Sequence, residues 1–128
     1  MESRRSIDTE RAPRAIGPYA QGVAAGGFLF LSGQVPLDPS TGEMVRGSLQ
    51  DEVSRVLENL KAVLQAAGAT LDQVVRTTIF LTDLKDFEDM NAAYARYFGK
   101  ARPARSTVQV VALPRGARIE IDAIARLE

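Results

Sequence analysis

The sequence predicts an α+β fold in which two helices pack on one face of a mixed β-sheet. Three observations lead there. The apolar period changes along the chain from strand-like to helical and back, in the order β, α, β, α, β, β. The two helical stretches are separated by a run rich in β-branched residues, which makes each helix a connection between strands. A chain of 128 residues with 45% hydrophobic content can bury one core but not two of ordinary size, so residues 1–128 read as a single domain.

The first dozen residues, "MESRRSIDTERA", are polar and mixed in charge and read as a loose arm or an edge strand. "FLFLSGQVP", Phe28 to Pro36, is short, apolar and closed by Gly and Pro, as a buried strand is. "LDPSTGEMV" follows as a turn-rich connection punctuated by Asp38, Pro39 and Gly42. From Ser48 the spacing predicts a helix: Val53, Val56, Leu57, Leu60, Val63, Leu64 and Ala67 share one face, with Ser48 and Asp51 as a capping pair and Gly68 as the stop.

"QVVRTTIFLTD", Gln73 to Asp83, is a strand with apolar side chains on both faces, Val75, Ile79 and Leu81 against Val74 and Phe80, and should be covered on both sides. A second helix runs from about Asp86 to Phe98, with Phe87, Met90, Tyr94 and Phe98 at helical spacing and Gly99 behind them. Strands over Ala104 to Ala112 and Ala117 to Leu127 complete the set. Two helices can cover only one sheet face. The apolar residues on the other face therefore call for a partner, most simply further copies of the same chain.

Composition narrows the chemistry. Lys plus Arg and Asp plus Glu both number 16, so no overall field favours nucleic acid or an anionic membrane, and no aromatic-basic stripe suggests RNA binding. The absence of Cys and His removes thiol nucleophiles, disulfides, imidazole bases and the usual zinc ligands. What remains is carboxylates, hydroxyls, Arg, backbone groups and water. No h-region opens the chain and no eighteen apolar residues run together, which fits a soluble, cytoplasmic protein.

Two charges sit inside otherwise apolar strands. Alternation places Arg105, Thr107, Gln109 and Val111 on one face of their strand, and Arg118, Glu120 and Asp122 opposite the apolar Ile119, Ile121, Ala123 and Ala125. If the apolar sets face the helices, Arg105 and Glu120 both project from the other face. They are then either solvated or ion-paired between copies, or they line a half-buried cleft in which the Arg105 fork grips a small carboxylate. Residue types alone leave both readings open.

The stretches "AIGPYAQGV", "LFLSGQVPLDPSTGE", "VLENLKAVLQAAGATLDQVVRTTIFLTDLKDFEDMNAAYARYF" and "PARSTVQVVALPRGARIEIDAIA" together resemble the Rid family of reactive intermediate deaminases, also called YjgF-like proteins. The resemblance spans nearly the whole chain. It implies a chorismate-mutase-like α+β domain, assembled as a homotrimer around a central β-barrel with ligand clefts between subunits. It also implies hydrolysis of enamine and imine acids such as 2-aminoacrylate and 2-iminobutanoate to 2-oxo acids and ammonia, with no metal or organic cofactor.

By that resemblance Arg105 is the carboxylate clamp and Glu120 the carboxylate that orients water, while Tyr19 and Ser32 line the cleft and Gly33, Asn91 and Thr107 lie near the ligand. Thr107 stands where many relatives carry Cys, which is harmless if the position acts through its backbone. Val111 stands where many relatives have a smaller residue and is expected to alter packing behind the site. A different reading of the same cleft is a trimer that binds 2-oxo acids without turnover, or, as described for some relatives, an RNA-directed translation inhibitor or a chaperone.

Overall fold

A computed structural model describes residues 3–128. Six strands form one sheet: β1 (Arg5–Ile7), β2 (Gly22–Ala25), β3 (Phe28–Gln34), β4 (Val74–Leu81), β5 (Ala104–Gln109) and β6 (Ile119–Arg126), in the spatial order β1-β2-β3-β6-β4-β5. All neighbours are antiparallel except β4 and β5, so the sheet is mixed. Helices α1 (Leu49–Ala66) and α2 (Phe87–Phe98) pack on one face. Among the described residues no helix is long and apolar enough to cross a membrane.

The helix-facing core follows the predicted periods. Val53, Val56, Leu57, Leu60, Val63 and Leu64 of α1 and Met90, Ala93, Tyr94 and Phe98 of α2 bury against Leu29, Leu31, Ile79, Leu81, Ile119, Ile121, Ala123 and Ala125. Ser48 caps α1 by accepting the Asp51 amide at 3.0 Å. At the other end Gly68, at φ +81, reverses the chain so that the Ala69 amide reaches the Leu64 carbonyl at 2.9 Å. This closure satisfies carbonyls that the last turn would otherwise leave bare. α2 is preceded by a 3₁₀ turn, Leu84–Asp86, and Gly99 ends it with ordinary right-handed geometry rather than a left-handed reversal.

Of the two expectations for the N-terminal segment, arm or edge strand, the structure shows the edge strand: Ile7 and Ala12 are buried, and the buried Gln21 amide holds the Thr9 backbone at both ends while donating to the Ala12 and Pro13 carbonyls. Met1 and Glu2, which the arm expectation also covers, lie outside the described residues. Two features differ from the sequence expectations. β2 was hidden because "GVAA" is short and weakly patterned. In β4 a bulge between Val74 and Arg76 puts Val74 in the helix-facing set and turns Val75 outward, 43% exposed.

The face away from the helices is open in one chain. Phe28, Phe30 and Val108 stand 41%, 46% and 41% exposed on it, alongside Phe80 and Ile124. β4 is thus covered on one side only, and the cover expected on its second side is not supplied by the described residues. Sequence reasoning also missed the buried carboxylate of Glu52. It accepts from Arg118 Nη2 at 2.6 Å and Nε at 3.3 Å, tying α1 to the start of β6.

Candidate functional site

Arg105 lies on the helix side of the sheet, which overturns the expectation that it shares a face with Glu120. Parallel pairing aligns Arg105 with Thr77, Thr107 with Ile79 and Gln109 with Leu81, all of them helix-facing positions. β5 is the outermost strand, so its helix-facing row meets only the rim of α2, where a long polar side chain can reach the surface. Its apolar Val108 takes the opposite side, continuous with Phe80. The assumption that the more apolar row always faces the helices fails here because the open face is itself apolar.

Two aromatic rings frame the guanidinium. Its central carbon is 4.9 Å from the Tyr94 ring centre and 5.6 Å from that of Phe87, both on α2. Tyr94 is fixed in turn by a 2.7 Å hydrogen bond between its hydroxyl and that of the buried Thr77. Burial pushes the Tyr94 phenol up, opposed by Thr77 and Arg105. Among the described residues the ion pairs are Lys85–Asp83 and Arg118–Glu52, so Arg105 has no carboxylate partner among them. Two buried polar atoms also lack partners: Oδ1 of Asn91, one turn along α2 from Phe87, and Oγ1 of Thr107, two residues along β5. Unpaired buried polar atoms are costly, and they collect here around a free fork.

Glu120 stands on the other face, paired with Phe80 across β4. Burial pushes its carboxyl above the usual range, and the neighbouring Asp122 pushes it further. Beside it β3 bulges: Leu31 pairs with Ala123 and Gln34 with Ile121, leaving Ser32 and Gly33 out of register. Ser32 is held by its Oγ donating to the Ala20 carbonyl at 2.6 Å and its amide to the Gln21 carbonyl at 3.0 Å. Gly33 is required because a Cβ there would run into the Glu120 carboxylate. Tyr19, Gly33 and Glu120 line one cavity of about 100 Å³, with Ile16, Val35 and Pro114 among its walls.

The predicted residues therefore fall into two groups. Arg105, Thr107 and Asn91 gather at the α2 rim, whereas Tyr19, Gly33 and Glu120, with Ser32 at their edge, gather at the β3 bulge. Arg105 and Glu120 are two strands apart and three register positions apart along β4, about 14 Å at the usual strand spacings, and on opposite faces. No small molecule can touch both within one chain. Val111 is 102% exposed, so the packing expected behind the site is not formed by the described residues of one chain. Phe87 and Tyr94 were read only as core positions. Their spacing of seven on one helix, opposite a strand arginine, is the signal that could have singled them out.

A family model described as endoribonuclease L-PSP matches residues 9–127. A RutC family protein of Pyrococcus horikoshii is 52% identical over 122 residues, covering 95% of this chain and 97% of its own. The mouse protein named 2-iminobutanoate/2-iminopropanoate deaminase is 48% identical over 122 residues, covering 95% and 90%. Among solved structures, E. coli TdcF with bound serine superposes with a TM-score of 0.91 at 44% identity, covering 97% of this chain and 99% of that one.

Proposed function

The chain belongs to the Rid family, the endoribonuclease L-PSP family of the matching model, and from that premise we propose that it is a hydrolytic deaminase of small imine acids. In this reading the working site is built between copies, Arg105 of one chain closing over the Glu120 cavity of the next. The observation that carries it is the division of the polar groups: an unpaired arginine with orphaned neighbours on one face, and a carboxylate with a raised pKa in a cavity on the other. Each half lacks what the other has. The open face with Phe28, Phe30 and Val108 supplies apolar area for the association, and a homotrimer around a central barrel is the assembly the family resemblance implies.

The chemistry follows from the groups. The Arg105 fork takes the substrate carboxylate bidentately, and the aromatic walls hold the guanidinium in place. Asn91 and Thr107 gain partners when ligand or the neighbouring chain arrives. Glu120 takes a proton from water as its oxygen adds to the carbon of the imine protonated on nitrogen, while the electron pair of the C=N bond moves to that nitrogen and neutralises it. The resulting carbinolamine accepts a proton on nitrogen and expels ammonia, and the hydroxyl proton leaves as the C=O bond forms. A carboxylate held above its ordinary pKa by burial is the better base for this step. Positioning supplies the rest.

The test is the release of ammonia and 2-oxo acid from 2-iminobutanoate generated by a threonine dehydratase. Acceleration over the dehydratase alone is expected. Product appearing no faster with folded protein present would leave only a binding role for the site.

A further inference from the structure

We propose that Arg14 and Arg115 form a second anion subsite at the Glu120 cavity, selecting imine substrates that carry a carboxylate on their side chain. The proposal rests on the deaminase reading. If Arg105 of one copy holds the α-carboxylate and the reacting carbon lies against Glu120, the side chain is the part of the substrate left to enter the cavity. That cavity, about 100 Å³, has an apolar lining from Ile16, Val35, Leu37 and Pro114, and carries both arginines. Among the described residues Glu120 is the one carboxylate in its lining. A short alkyl chain fits such a floor, but only a charged side chain gains from the two guanidiniums.

Among the described residues neither arginine is paired with an acid, although Asp8, Glu10 and Asp38 line the larger hollow that Arg14 and Arg115 also border. Arg115 is, moreover, built into position. It sits at φ 60, left-handed for a residue with a side chain, in the turn Pro114–Gly116. That conformation persists only where the surroundings hold it, and it recurs at ligand sites. Here Arg115 Nη2 donates to the Gly42 carbonyl at 3.3 Å, and its own carbonyl accepts from Arg46 Nη2 at 3.4 Å. These contacts fix the turn against the loop after β3 and leave the other nitrogens of the guanidinium for a ligand.

Calorimetry with two unreactive 2-oxo acids of equal chain length isolates the effect: 2-oxoglutarate ends in a carboxylate and 2-oxopentanoate in a methyl group. The wild-type protein is expected to bind 2-oxoglutarate about tenfold tighter or more, as a charge-assisted contact provides. The preference should shrink with added salt. It should collapse toward one in the Arg14→Ala/Arg115→Gly protein, where glycine keeps the left-handed turn, and in part in the exposed single substitution Arg14→Ala. Reading the ratio within each protein removes any general change in affinity. Equal binding of the two acids by the wild type, or a preference that survives the double substitution, overturns the subsite while leaving the deaminase reading intact. Failure of both acids to bind the wild type overturns the two together.

Discussion

Gly33→Ala places one methyl group where the account says the base must be. The new Cβ would stand 2.8 Å from Cδ and 3.1 Å from Cγ of Glu120, with the carboxylate closer still. Carbon atoms rest at about 3.5–4.0 Å, so the carboxylate has to retreat by about 1 Å. It is the free end of a flexible side chain, and Gly33 is not among the glycines with positive φ, so the backbone accepts alanine and the fold survives. A base displaced that far loses its alignment with water and the imine carbon, and misplacement on this scale costs about 10²-fold. The imine-hydrolysis assay should therefore show kcat reduced by about two powers of ten, within the 10²–10⁴ that general-base catalysis supplies. The melting temperature should stay within a few degrees of wild type, on the order of what ~1 kcal/mol moves a domain of this size. Full turnover by a folded Gly33→Ala protein would show that the position of Glu120 does not matter, and the role given to Glu120 would go with it.

Arg105→Ala should abolish turnover and also weaken pyruvate binding by about tenfold or more, whereas Glu120→Gln should lose turnover while calorimetry still finds pyruvate bound; the reverse pattern would exchange the clamp and the base. The acid limb of the kcat/KM profile should fall at a pH above the ordinary glutamate pKa, because Glu120 acts only when ionised and burial with Asp122 holds its proton on. Asp122→Asn removes the like charge, lowers that pKa and moves the acid limb to lower pH; an unmoved limb would assign it to another group. Arg118→Met leaves the buried Glu52 carboxylate without its partner and should cost about 3 kcal/mol in urea unfolding at fixed protein concentration, the lower end of the range for a broken buried pair because water reaches the 40% exposed Arg118 side chain. A loss under about 1 kcal/mol would show that Glu52 is neutral or solvated instead.

Much of this molecule was legible in one dimension. The capping pair at Ser48, the stop at Gly68 and the apolar rows of α1, α2 and β6 obey local rules, so spacing alone located them. β2 was missed because it is only four residues long, and β1, three residues long, was legible only as an alternative to a loose arm, because the segment after it is held by Gln21, a long-range clamp with no sequence pattern. The candidate residues were legible as a set, through the resemblance, but their placement was not. Alternation within β5 says that Arg105 and Thr107 share a side; it cannot say which side, since that is set by pairing with β4 and by how far α2 extends over the edge. In a chain that buries one sheet face by itself and leaves an apolar second face open, polarity is a poor guide to which face is inside.

Subunit mixing tests most directly whether the site is shared between copies. Arg105→Ala and Glu120→Gln proteins, each inactive alone, are unfolded together, refolded at equal amounts and assayed. If Arg105 of one chain serves Glu120 of the next around a closed ring, random assembly leaves about a quarter of the sites with both groups intact, and about a quarter of wild-type activity should return. No recovery from verified mixed oligomers would mean that both groups must come from one chain, contradicting the opposite faces on which they stand.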